Sequence, residues 1–250
     1  METSTRHRFK VSWGDIMQVL AALFVLLIPA STLASSPHLT ANISHLNAAF
    51  RIESIVFNRF NPITGEPDER QQAGSTTYAN SPAVGLGLAW QWSEDLNLGG
   101  EWSASRFYGS TNIRYQLNRL MAHAAYQLGQ LGNYPVFAEV GLGISSLDTT
   151  LDPRSLIANT IQVSYDIDTW RDLSWKLGLG TRLLQWDDAV VNLSYRHVQS
   201  LRKPDLDVTF SGTTKDPFSD QILDFRQTYR WQNVSLTTQE LLLEVVLDWP

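Results

Sequence analysis

From residue 83 to the C-terminus the chain repeats one pattern: segments of about ten residues in which every second side chain is large and apolar. In one such segment Val84, Leu86, Leu88, Trp90 and Trp92 alternate with Gly85, Gly87, Ala89 and Gln91. In the last, Leu241, Leu243, Val245, Leu247 and Trp249 alternate with polar residues that include Glu240, Glu244 and Asp248. A period of two puts successive side chains on opposite faces of a β-strand. Seven segments follow the rule: 83–92, 96–107, 114–128, 136–146, 172–184, 189–199 and 235–249. An eighth, weaker one at 49–57 completes the count. Amphipathic helical spacing is scarce.

The connections alternate in length. Residues 93–95, 129–135 and 185–188 are short links, whereas 58–82, 147–171 and 201–234 are long. Only Tyr108–Ile113, short among the long ones, departs from the alternation. An up-and-down barrel collects its odd connections at one end and its even ones at the other. Short turns at one rim and long loops at the other describe a barrel in an outer membrane. A soluble sandwich has no reason to alternate its loops, and a soluble ligand-carrying barrel would turn its large apolar residues inward. Here the face opposite the apolar one is Gly, Ser, Asn, Glu, Arg and Lys, a poor dry core. The sequence therefore predicts an all-β fold: an eight-stranded antiparallel up-and-down transmembrane barrel with short periplasmic turns and longer extracellular loops.

The N-terminus reads as an export signal. Arg6, Arg8 and Lys10 precede an apolar run from Ile16 to Ile28, too short to span a hydrocarbon core of about 30 Å. Thr32-Leu33-Ala34 supplies small residues for cleavage, although Met17 could be the true start. Residues 1–34 are expected to be removed, 35–48 to form a short N-terminal periplasmic segment, and 49–250 to form the barrel in the cell outer membrane.

Composition narrows the function. Nineteen Lys+Arg against 25 Asp+Glu give a net charge of −6, which excludes the clustered positive excess of a nucleic-acid binder. The absence of cysteine removes disulfides, thiolate metal sites and a cysteine nucleophile. Five scattered histidines show no metal-ligand spacing, so neither metal nor cofactor is expected.

Four stretches carry a family resemblance. Val84-Gly85-Leu86-Gly87-Leu88-Ala89-Trp90-Gln91-Trp92, Pro135–Gly143, Leu177–Gly180 and Asn192–Arg196 resemble strands of OmpA-like and opacity-type outer-membrane barrels. The resemblance is one of pattern across the mature chain, with no catalytic signature. It implies insertion by the outer-membrane assembly machinery, which recognises an alternating final strand ending in an aromatic residue. Leu243, Val245, Leu247 and Trp249 fit, with Pro250 following as a departure. No peptidoglycan-binding domain is expected after the barrel, so that anchoring role is not carried over.

Three sets of side chains are candidates for function. Aromatic belts are expected at both membrane boundaries: Trp90, Trp92, Tyr126, Trp186 and Trp249 below, and Phe107, Tyr108, Tyr115, Trp170 and Trp231 above. The inward faces collect Glu101, Glu139 and Glu244 with Arg119, Lys176, Arg182 and Arg196, and His123 nearby. Eight strands enclose only enough space for side chains, so these charges should pair into a packed polar plug; a switching gate is the alternative. His197 and Ser200, with Asp205 or Asp207, are the only tempting catalytic residues. A His-x-Ser spacing, as in outer-membrane lipid A deacylases, would place both on one face; His197 and Ser200 fall on opposite faces. No enzyme is expected. The expected role is structural or porin-like in a monomer contacting outer-membrane lipids and lipopolysaccharide, the alternative being a binding or adhesion module built from the long loops. Within the last loop 207–210 and 225–231 retain alternation, so the flanking strands should extend beyond the membrane.

Overall fold

The computed structural model describes residues 37–60, 67–108, 113–151, 160–215 and 222–248 of the 250-residue chain. The expected signal segment 1–34, Trp249 and Pro250 lie outside them. Eight strands close a barrel: β1 (His38–Arg51), β4 (Thr76–Gln91), β5 (Leu96–Tyr108), β6 (Ile113–Leu131), β7 (Tyr134–Leu151), β9 (Trp170–Gln185), β10 (Ala189–Ser200) and β13 (Ser235–Asp248). All neighbours are antiparallel, and β1 pairs with both β4 and β13, so no edge remains within the barrel. At one end the links are residues 92–95, 132–133 and 186–188. The middle link is a two-residue turn, shorter than expected, with Gly132 at φ 63°. β6 and β7 thus run on to Leu131 and Tyr134, through a bulge between Gln127 and Gly129.

The first strand needs correction. The barrel begins at His38, so most of the expected periplasmic segment 35–48 is strand, and residues 54–57 belong to a separate strand. β1 does alternate, but its apolar phase changes sides midway. Low on the strand Thr40, Asn42 and Ser44 point inward and Leu39, Ala41 and Ile43 outward. Higher up Leu46, Ala48 and Phe50 turn inward, with His45 and Asn47 outside. A search for one constant apolar phase passes over such a strand.

The long connections are structured too. β2 (Ser54–Phe60), β3 (Pro67–Ala73), β8 (Thr160–Ile167), β11 (Leu206–Lys215) and β12 (Ile222–Gln232) form a second sheet in the order β3-β2-β12-β11-β8. Each continues a barrel strand, and the order repeats that of β4-β1-β13-β10-β9. The result is a five-stranded wall rising from one side of the long-loop rim; β5, β6 and β7 have no continuation among the described residues. Short breaks separate wall from barrel, and they are stitched by hydrogen bonds. Val234 N donates to Pro204 O (3.1 Å), and Asn233, at φ 52°, donates its N–H to Asp205 Oδ1 (3.1 Å). The alternation at 207–210 and 225–231 therefore belongs to β11 and β12, a hairpin of this wall.

The two faces of the barrel wall differ as a membrane barrel requires. Outward stand Ile43, Val84, Leu86, Trp102, Val140, Leu142, Leu177, Leu179, Leu241 and Leu243, all exposed. Inward, the bore changes character along its length. Its long-loop half holds the apolar core, with Leu46, Phe50, Phe107, Tyr115, Leu117, Leu147, Trp170 and Leu236 each no more than 3% exposed. Ile55, Ile167 and Trp231 of the wall pack onto it from above, together with buried Leu206.

Candidate functional site: the barrel interior

The middle of the bore is a ring of four alternating charges. Lys176 of β9 reaches Glu101 of β5 (Nζ to Oε1, 2.8 Å) and Glu139 of β7 (2.6 Å). Arg196 of β10 reaches the same two carboxylates, Glu101 Oε2 at 2.8 Å and Glu139 Oε2 at 2.7 Å. The Glu139 contacts are close ion pairs rather than aligned hydrogen bonds, whereas both contacts to Glu101 are hydrogen bonds. All four side chains are at least 94% buried. In a water-poor bore each charge needs its opposite, and the ring supplies two of each. Glu244 of β13 hangs below the ring, 3.7 Å from Arg196 Nη2, and accepts a hydrogen bond from Asn192 Nδ2 at 3.3 Å.

Inward glycines make room for these side chains. At Gly141 an added Cβ would lie 2.9 Å from Lys176 Cε and 2.7 Å from the Ala122 carbonyl oxygen. At Gly178 it would meet Arg196 Cγ at 3.1 Å and Glu139 Oε2 at 3.2 Å. The small residues on the polar phase of the sequence are thus the cradle of the charged ones.

Of the eight predicted interior residues, Glu101, Glu139, Glu244, Lys176 and Arg196 meet directly. His123 lies beside them, its Nδ1 3.9 Å from Glu139 Oε1. Arg119 is not part of the ring. One level above, it makes a buried ion pair with Glu240 and donates to Thr238 Oγ1 at 3.0 Å. Arg182 sits near the short-turn mouth and donates to Gln185 Oε1 at 2.9 Å. Sequence reasoning missed Asn192 and Thr238, although both lie on the inward phase of their strands.

The lower belt residues Trp92, Tyr126 and Trp186 are exposed at the short-turn end, joined by Tyr134, and Trp90 is half-buried there. The upper belt is corrected. Phe107, Tyr115 and Trp170 point into the bore, where Phe107 and Tyr115 stack at 5.2 Å and Trp170 Nε1 donates to Val234 O at 3.4 Å. Trp231 packs edge-on to Phe50 at 6.3 Å. Only Tyr108 of that set stands exposed, with the Arg114 guanidinium 5.4 Å from its ring centroid. The reason is phase: on β5 and β6 these residues share the face of Glu101 and Arg119.

His197 lies outside the barrel against Trp175, with ring centroids 5.3 Å apart. Ser200 is buried on the other face, accepting the Leu236 N–H at 3.1 Å. The two never meet. A single cluster among the described residues has metal-ligand types at metal distance, Glu101, His123 and Glu139. Lys176 and Arg196 already neutralise both of its carboxylates, so a metal ion there would have to displace a buried cation.

On the wall, the face continuous with the bore is aromatic: Tyr229 lies 5.6 Å from Phe57 and edge-on to Phe210 at 5.5 Å. Burial pushes the Tyr229 hydroxyl pKa up. The opposite face is polar, with Arg230 Nε 2.9 Å from Asp207 Oδ1 and paired Thr209 and Thr228 hydroxyls at 3.0 Å.

No family model matches the chain, and no curated protein sequence matches it. Solved structures of similar shape include Neisserial surface protein A, at 12% identity over 86% of this chain and 99% of that one, with a TM-score of 0.45. The outer membrane protein OprG of Pseudomonas aeruginosa aligns at 9% identity over 82% and 95%, TM-score 0.39. The outer membrane protein AlkL, solved in lipid bilayers, aligns at 11% over 88% and 95%, TM-score 0.41. Likeness at this level says nothing of activity.

Proposed function

We propose that this chain is a monomeric outer-membrane barrel with a closed bore, whose role is structural and whose β-wall is the part offered to the outside. The observation that carries the closure is the double seal. A ring of paired charges fills the middle of the bore, and a core of Phe50, Phe107, Tyr115 and Trp170 fills the space above it. The exposed apolar band around the barrel supports the membrane setting, because a belt of this size would aggregate in water. The short turns then face the periplasm and the wall faces outward. Resemblance to OmpA-like and opacity-type barrels supports the same setting. The alternation in β13 supports delivery by the outer-membrane assembly machinery, and the outward band supports contact with outer-membrane lipids, lipopolysaccharide included.

A binding or adhesion role for the wall is the second reading, favoured by five ordered strands standing above the rim. Its polar face, with Arg230, Asp207, Thr209 and Thr228, suits a wet contact surface. No catalysis is assigned. Proteoliposomes test the first reading: a closed barrel leaves small-sugar uptake at the protein-free rate, and uptake that rises with protein content contradicts it.

A further inference from the structure

Below the charge ring the bore opens into a chamber of about 410 Å³, lined toward the short-turn end by Glu94, Asp95 and Gln185. It holds far more than one ion, since a water occupies about 30 Å³. Its charged lining is unbalanced: Glu94, Asp95, Glu139 and Glu244 face it against Arg182 and Arg196. Glu139 is fully engaged in the ring, which is neutral by itself. Glu244 is therefore a surplus carboxylate at the inner end, with one cation at 3.7 Å and one amide at 3.3 Å. Across the chamber, on β6, the His123 side chain is nine-tenths buried and lines it, and its Nδ1 has no hydrogen-bond partner. β6 and β13 lie four strands apart in a barrel of eight, so these two groups face each other across the bore.

We propose that this chamber is a binding site for a small organic cation, an alkylammonium that sets its charge on Glu244 and a second polar group toward His123. Lys176 shows how this interior holds an ammonium, with carboxylate oxygens at 2.6 and 2.8 Å. The acidic mouth at Glu94 and Asp95 favours cations entering. A metal ion is the poorer occupant, because it would fill little of the chamber and the nearby carboxylate pair is taken. The site lies beneath the seal and does not depend on whether the bore conducts.

The test is calorimetry on the folded full-length barrel in detergent micelles, titrated with 1,4-diaminobutane, with butane-1,4-diol as the neutral isostere. The expected result is one saturable diamine site per barrel and no diol binding. Glu244→Gln should weaken the diamine about tenfold or more, the scale of one charge-assisted contact, in protein that keeps its heat-modifiable mobility. Should that variant not fold, the mouth pair Glu94→Gln/Asp95→Asn must still weaken binding. Absence of saturable binding, equal binding of the diol, or unchanged affinity in a folded variant overturns the proposal. Binding of zinc alone, lost in His123→Ala, would replace it with a metal site.

Discussion

Phe107 and Tyr115 stand directly opposite each other on β5 and β6, their rings stacked 5.2 Å apart inside the barrel. Both are 2% exposed. Rings that would anchor a membrane barrel from outside instead fill its bore, and Phe50 closes on Tyr115 at 5.4 Å. The long-loop half of the bore is therefore packed like the core of a soluble protein, while the outer surface of the barrel is not.

Removing one ring from this core should leave a cavity that the closed strand ladder cannot collapse. Trp170→Ala is expected to destabilise the barrel by about 3–5 kcal/mol, read as a lower urea midpoint in reversible unfolding. A variant as stable as the parent would mean that Trp170 is not packed as described.

The ring of charges makes a sharper forecast. Lys176→Met strands Glu101 and Glu139 beside a single arginine, and losing one partner of a buried pair costs about 3–5 kcal/mol. Adding Glu139→Gln leaves Arg196 and Glu101 to pair alone and should recover part of that loss. If the double variant is less stable than the parent by the full sum of the two single losses, the residues are not coupled.

Glycines lining the ring can be ranked. Gly141→Ala drives its new methyl against backbone, at 2.7 Å from the Ala122 oxygen, whereas Gly178→Ala meets nothing nearer than 3.1 Å, its one backbone neighbour being the Tyr195 oxygen at 3.3 Å. Gly141→Ala should cost about 1–3 kcal/mol and Gly178→Ala less, compared by urea titration. The reverse order would contradict the packing.

Membrane contact is testable tryptophan by tryptophan. In single-tryptophan variants, brominated lipids should quench Trp102 strongly and leave Trp170 nearly untouched, because the first faces outward and the second fills the bore. Strong quenching of Trp170 would put it back in an outer belt.

Much of this was legible in the sequence, because period two reports which residues share a face. Glu101, Glu139, Lys176 and Arg196 were readable as inward from their neighbours alone. What period two does not report is which face is which when the bore itself becomes apolar. Phe107 and Tyr115 lie on the inward phase of their strands, yet their aromatic character suggested a belt. β1 hides for the same reason, its apolar residues changing sides near Ile43. The wall was half-visible: 207–210 and 225–231 alternate, but pairing among five segments spread over the chain is a long-range fact that no local pattern carries. Nor does alternation fix height along the bore, which is what separates Arg119 from the ring.

Closure of the bore is the central claim, and single-channel recording in a planar bilayer meets it most directly. The account predicts silence from protein shown by heat-modifiable mobility to be folded, and continued silence in Glu139→Gln, because the aromatic core seals above the ring. Steady, reproducible openings from the folded protein would contradict it.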